Sequence, residues 1–232
     1  MKDLESFEKH VGVSFLDKDL LRQAFTHRSY INENRGLPTG HNERLEFLGD
    51  AVLELAITEY LYARYPEKTE GDLTSYRSAL VNAGTLSEVA SELAMNDYLL
   101  LSRGEAKDTG RARQYILANT IEAFIGALYL DQGYDAAKRF IAAHIFHLID
   151  DIIAKSAWID SKSHFQEQAQ EIAGITPSYK VVGEEGPDHD KHFTVAVCLD
   201  REQVAVGSGR SKQEAEQDAA EKALKAKGWG RR

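Results

Sequence analysis

Asn42-Glu43-Arg44-Leu45-Glu46-Phe47-Leu48-Gly49-Asp50-Ala51-Val52-Leu53-Glu54 lies in a run, from about Asn42 to Tyr65, that reads as one long helix stopped by Pro66. At about 100° per residue, Glu46, Asp50 and Glu54 fall at about −60°, −20° and +20° relative to Glu43, so four carboxylates share one narrow face. Leu45, Leu48, Val52 and Ala56 lie opposite. A solvated polar face has the same outline, yet such faces mix Lys with Glu, because like charges three or four residues apart repel. This stripe contains no cation.

A second segment has complementary chemistry. Ile116-Leu117-Ala118-Asn119-Thr120-Ile121-Glu122-Ala123-Phe124-Ile125-Gly126-Ala127-Leu128 is apolar almost all round and reads as a central helix, with Asn119 and Glu122 on one side and Gly126 leaving room beside them. Burying a lone carboxylate costs several kcal/mol, and a divalent cation shared with carboxylates of a facing helix removes that cost. Oxygen-only ligands suit Mg²⁺ or Mn²⁺, ions that polarise a phosphate and activate water. The alternative is a hydrogen-bonded buried Glu122 with no metal.

Outward from these helices, the spacing predicts helix almost everywhere before residue 155. Leu20, Leu21, Ala24 and Phe25 recur at helical spacing before a breaker-rich loop from Asn32 to Gly40. Asp72 is a candidate cap for a run from Leu73 to Met95, with Gly84 a possible break. Helices over Tyr115–Leu130 and Tyr134–Ile153 flank the turn Asp131-Gln132-Gly133. The periodicity then changes. After the polar stretch Lys155 to Lys162, a helix from about Ser163 to Ala173 precedes strands over Ser178–Val182, Phe193–Leu199 and Gln203–Gly207, and Ser211 caps an alanine-rich helix reaching about Lys227. The fold class is therefore mainly α: an all-helical domain over residues 1–154, a linker over 155–161, and a small α+β domain of order α-β-β-β-α over 162–228.

The 232 residues suit two domains of ordinary size, and 43% hydrophobic with 28% charged residues is the composition of a chain that folds by itself. The single cysteine, Cys198, excludes an intramolecular disulfide and a multi-cysteine zinc site and fits a reducing, cytoplasmic setting. No stretch approaches the roughly 18 uncharged apolar residues of a membrane span, so no membrane partner is expected. A net charge of −9 argues against indiscriminate polyanion binding, which makes any nucleic-acid affinity local.

Asn42 to Asp50 resembles the nine-residue signature of the ribonuclease III family, and Ile116 to Gly126 resembles that family's second acidic motif. Ala24-Phe-Thr-His-Arg-Ser-Tyr30, Glu70-Gly-Asp72 and Arg103-Gly-Glu105 also match, so the resemblance spans the chain in the bacterial two-domain order. It implies a metal-dependent, homodimeric endonuclease that cuts double-stranded RNA to 5′-phosphate ends with short 3′ overhangs, processing structured precursors such as rRNA, with Mg²⁺ (or Mn²⁺) and no small-molecule cofactor. It places metal ligands at Glu46, Asp50, Asn119 and Glu122, with Asp50 and Glu122 catalytic. Most members carry Asp where Asn119 stands, which leaves one neutral carbonyl oxygen in place of a charged carboxylate. Glu43 and Glu70 correspond to secondary acidic positions or are solvated surface. Phe47 corresponds to a residue inserted into a partner subunit, ordinary core packing being the alternative, and His27 reads as structural.

The tail resembles a double-stranded-RNA-binding domain, which reads A-form shape across two minor grooves and the intervening phosphates. Ser163, Gln166 and Glu167 match its first contact region, His189 its loop, and Arg210 and Lys212 its last helix, whose amino end attracts phosphate. Gln213 and Glu214 stand where Lys or Arg is common, and residues 156–232 hold 11 basic and 13 acidic side chains, so weak, salt-sensitive binding is expected. The rival to a nuclease is a double-stranded-RNA-binding protein that kept this fold and lost its chemistry, a reading that rests on Asn119 alone.

Overall fold

The computed structural model describes residues 3–34, 39–154, 161–187 and 191–229. The chain divides into two compact units, Met1–Trp158 and Ile159–Arg232. Among the described residues no helix is long and apolar enough to cross a membrane.

The first unit is helical: α1 (Leu4–Val11), α2 (Lys18–Ala24), α3 (Arg28–Glu33), α4 (Glu43–Arg64), α5 (Glu70–Val81), α6 (Ala83–Glu92), α7 (Arg111–Gln132), α8 (Tyr134–Ile141) and α9 (Leu148–Ala154). Helix α7 is its axis. Eleven of its residues, from Ile116 to Leu128, are buried, and Phe124 meets Phe7, Phe15 and Phe140 at ring-centroid distances of 5.5, 5.4 and 4.9 Å. Packing of this aromatic knot and of Leu53, Ile57 and Leu61 from α4 is what holds the unit.

Several expectations shift. Asp72 does not cap α5: Thr69 does, and Asp72, three residues on, closes a reciprocal capping box by accepting from the Thr69 N–H and hydroxyl. The run to Met95 breaks at Asn82, which caps α6, two residues before Gly84. Helix α3 extends to Glu33, inside the segment read as loop, and α7 begins at Arg111. The helix expected over Tyr134–Ile153 is interrupted by a π-helical turn at Ala142–Phe146.

The second unit packs α10 (Ser161–Ala173) and α11 (Lys212–Lys227) with an antiparallel sheet of β1 (Ser178–Glu185), β2 (His192–Leu199) and β3 (Glu202–Gly209) in that order. Helix α10 opens at Ser161, two residues earlier than the spacing suggests. Phe165, Ala169, Val197, Leu199 and the alanines of α11 form the core. Alanine is needed there because α11 lies almost on the backbone of β3: a Cβ at Gly207 would strike the Ala219 nitrogen and the Ala215 carbonyl.

Candidate active site

Helices α4 and α7 cross at two glycines. A Cβ built on Gly49 would run into the Glu122 carbonyl and stand 2.8 Å from the Gly126 nitrogen; one on Gly126 would run into the Leu45 carbonyl. The backbones thus touch, and pairing of 45 with 126 and 49 with 122 runs the helices antiparallel and lays Glu46 and Asp50 beside Asn119 and Glu122. A glycine inside a helix costs about 1 kcal/mol relative to alanine, which is itself a signal of close approach. Gly126 is readable in this way from the sequence; Gly49 was missed, although it stands inside the long helix, in its second turn.

The acids feel one another. Burial first, then the charges of Asp50 and Glu46, push the Glu122 carboxyl up to about 8. Burial, Glu43 and Asp50 also raise Glu46, against which a hydrogen bond from Asn119 acts. An ionised carboxylate only accepts, so the Asn119 amide is the donor there. Asp50 is exposed, and Glu46, Asn119 and Glu122 are half-buried, so the group opens to solvent on the Asp50 side. Among the described residues no three His, Cys, Asp or Glu side chains close into a ready-made metal cage. The four side chains are neighbours gathered by a helix crossing.

Around this centre the expected residues separate. Glu43, exposed in the first turn of α4, takes an ion pair from Arg28 at 3.5 Å and faces His41 at 3.8 Å. Glu70 opens α5 and is exposed, and among the described residues nothing links its side chain to the acids of α4 and α7. Phe47 is 81% exposed, which excludes core packing; Leu55 and Tyr62, eight and fifteen residues on, are exposed on the same side of α4. His27 caps α3 through its ring nitrogen, as a structural reading requires.

In the second unit, Ser163, Gln166 and Glu167 line a shallow groove of about 540 Å³ on α10 with Gln170 and Glu171. His189 lies outside the described residues. Lys212 stands in the first turn of α11, 3.7 Å from Glu184 and over the Phe193 ring. Glu214, acidic where a base is common, completes the helix start: its N–H donates to Ser211 Oγ and its carboxylate accepts from the Arg210 N–H at 2.9 Å.

A family model described as Ribonuclease-III-like matches residues 17–149, and one described as double-stranded RNA binding motif matches 161–227. Ribonuclease 3 of Bacillus licheniformis is 49% identical over 223 residues, covering 96% of this chain and 89% of that protein. Ribonuclease 3 of Enterococcus faecalis is 48% identical over 218 residues, 94% of each. The nuclease domain of ribonuclease III from Campylobacter jejuni superposes with a TM-score of 0.56 at 38% identity, over 64% of this chain and 97% of that one. Both units match in the order in which they stand, at nearly half identity to proteins of one name, and the chain therefore belongs to the ribonuclease III family of double-stranded-RNA endoribonucleases.

Proposed function

We propose that Glu46, Asp50, Asn119 and Glu122 together hold a divalent cation, Mg²⁺ with Mn²⁺ as its substitute, and that Asp50 and Glu122 are the catalytic carboxylates of a phosphodiester hydrolysis yielding 5′-phosphates and short 3′ overhangs. The observation that carries this is the crossing at Gly49 and Gly126, which gathers three carboxylates: half-buried Glu122, pushed up to about 8 by burial and by its two neighbours, is an electrostatic deficit that a hard cation relieves. The donor set, three carboxylates and one amide, is all oxygen, which fits Mg²⁺ and excludes a preference for soft metals. Such an ion, when bound, supplies Lewis-acid polarisation of the scissile phosphate and acidifies water.

The chain's own groups do the rest. With its carboxyl pushed up to about 8, Glu122 holds a proton near neutral pH, which it would release in order to hold a cation. Asp50, on the open side, faces the incoming strand, and Asn119 steadies Glu46 through its amide. Glu43 and Glu70 are secondary acids at the rim. The exposed face of α4 carrying Phe47 joins two copies into a homodimer, which sets two such sites on one duplex. Ser163, Gln166 and Glu167, with His189, Arg210 and Lys212, hold the RNA. Its substrates are structured cytoplasmic precursors, rRNA among them.

The test is incubation of the full chain with a long RNA duplex and Mg²⁺. Short duplex products with 5′-phosphates are expected, and Glu122→Gln abolishes them. Binding without cleavage at any divalent-ion concentration would instead establish the rival, a chain that only binds duplex RNA.

A further inference from the structure

Two motifs remain without a task, Thr26-His27-Arg28-Ser29 and Ser102-Arg103-Gly104-Glu105, and the structure ties them to each other. The His27 N–H donates to the Leu100 carbonyl at 3.0 Å, and the Thr26 carbonyl accepts from the Asn42 N–H at 2.9 Å, immediately before α4. His27 is thus fixed relative to the first turn of the helix that carries the acid stripe. The Ser102 N–H donates to Ser29 Oγ at 3.1 Å, and Ser29 Oγ stands 2.8 Å from His27 Nδ1. The Ser29 N–H also donates to Nδ1, at 3.3 Å.

This settles the tautomer. A backbone N–H can only donate, so Nδ1 is the acceptor and carries no proton. In the neutral ring the proton must sit on Nε2. Burial lowers the His27 pKa first of all; Glu105 and Glu43 raise it and Arg28 and His41 lower it, and among the described residues these four are the charged or titratable groups that act on the ring. Nε2 has no hydrogen-bond partner among the described residues, and the ring is half-buried rather than sealed. Capping of α3 explains Nδ1 and leaves Nε2–H unexplained: a donor on a ring set among Glu105, Arg28, Glu43 and His41, and tied through Thr26 to the amino end of the stripe that leads to Glu46 and Asp50.

We propose that His27 is a substrate-contacting residue that gives its Nε2–H to a phosphate oxygen of the RNA strand lying along the acid stripe. The neighbouring Arg28, 71% exposed at its side chain and only loosely paired with Glu43 at 3.5 Å, favours an anion over a base edge as the acceptor. The serine relay from Ser102 through Ser29 keeps the ring from turning over, so the 102–105 loop acts on the substrate through the imidazole. The inference rests on the acids of α4 and α7 being the cleavage site.

Two variants separate the cap from the contact. His27→Asn keeps an acceptor where Nδ1 was, asparagine being among the best helix caps, and removes the Nε2–H. His27→Gln reaches the Nε2 position with its amide and loses the cap. Steady-state cleavage of a defined RNA duplex by the full chain, with thermal melting of each variant, gives the readout. His27→Asn is expected to melt as wild type and to raise KM about tenfold with kcat little changed, the size of one lost hydrogen bond to a charged group. His27→Gln is expected to melt lower and to keep a KM nearer wild type. A wild-type KM in His27→Asn overturns the proposal, as does a KM that merely follows the melting temperature in both variants. If the wild type cuts no duplex, it is the cleavage-site reading that falls. A measurement on the wild type alone decides the contact without variants or metal. In a ¹⁵N-histidine spectrum of the full chain, His27 should show a bare Nδ1 and a protonated Nε2, and duplex RNA added without divalent ions should shift the Nε2–H. A protonated Nδ1 or an unmoved Nε2–H overturns it.

Discussion

The two units solve the same packing problem with opposite treatment of charge. In each, a helix is drawn onto a neighbour's backbone by glycine: α4 onto α7 at Gly49 and Gly126, α11 onto β3 at Gly207 and Gly209. On α11 the outward charges are balanced locally, Asp218 with Lys222 at 2.7 Å and Glu221 with Lys225 at 2.5 Å, each acid four residues before its base. On α4 and α7 the close approach instead drives Glu46, Asp50 and Glu122 together, and among the described residues no base acts on Glu46 or Glu122. The second arrangement is less stable and chemically more capable, since unbalanced charge is what a cation and a phosphate can act on. A binding surface can be electrostatically quiet, whereas a reacting centre stores its field.

Removing that field should produce the largest effect. Glu122→Gln is expected to lower cleavage by about 10³-fold or more, because α7 keeps no charged ligand. The same change should stabilise the metal-free protein at alkaline pH. With its carboxyl raised to about 8, Glu122 stays protonated in the folded chain while the unfolded chain ionises in the ordinary carboxylate range, so stability falls as pH rises through that window and levels above about 8. Chemical denaturation of wild type and Glu122→Gln from pH 5 to 9, without metal, should show a fall that is steeper in the wild type by on the order of 1 kcal/mol per pH unit. Equal slopes would mean that the field around Glu122 is not there.

Next come the glycines, which test whether crossing and chemistry are one feature. Gly126→Ala must push α7 away from the Leu45 carbonyl, and a shift near 1 Å at the acids should cost about a hundredfold in kcat. Gly207→Ala disturbs an equally tight contact in the other unit. It should loosen that unit's melting and weaken duplex binding while cleavage at low salt survives. If both substitutions affect kcat alike, the division between a reacting unit and a holding unit is wrong.

Much of this was legible beforehand for a definite reason. A 3.6-residue repeat projects onto a face without any knowledge of the partner, so Glu46 and Asp50 on one helix and Asn119 and Glu122 on another could be placed by counting. What a helix face meets is not in the repeat. The exposure of Phe47 and of Glu70 emerges only from packing. The π turn at Ala142–Phe146 is invisible for another reason: widening one turn leaves a helical sequence looking helical. The Thr69 cap, by contrast, was readable as Thr followed three residues later by an acid, and the nearer Asp72 obscured it. The Nδ1 partner of His27, Ser29, is only two residues on, but the hold on Ser29 Oγ required the loop at Ser102, seventy-three residues beyond it, to be placed beside it.

A milder change sharpens the comparison from the holding side. Deleting residues 161–232 leaves every acid of the candidate site and the whole aromatic core of the first unit in place. Duplex affinity at moderate salt should fall by about ten- to a hundredfold, and cleavage should persist at low salt, where the remaining phosphate contacts are strongest. Filter binding and a cleavage time course across a salt series test this. A truncated chain that cuts nothing at any salt would show that the second unit takes part in the chemistry.

The smallest effect is expected at Asn119, where one atom changes the charge of the reacting centre. As Asn, the side chain donates to Glu46 and offers only a neutral carbonyl oxygen to a cation. As Asp, it loses the donor, repels Glu46 and adds a fourth carboxylate. The metal-free site should then be less stable and the metal-loaded one more so, which moves the Mg²⁺ concentration for half-maximal cleavage down by about three- to tenfold and leaves the maximal rate within about threefold. Mn²⁺, which binds mixed oxygen donors more tightly than Mg²⁺, should narrow the gap between the two forms. A metal titration of cleavage for wild type and Asn119→Asp, set beside melting in a chelator, reads both halves of the trade. If Asn119→Asp needs as much Mg²⁺ as wild type, residue 119 does not face the cation. If it also melts unchanged without metal, residue 119 does not answer to Glu46 either, and the field at the crossing comes from the three carboxylates alone.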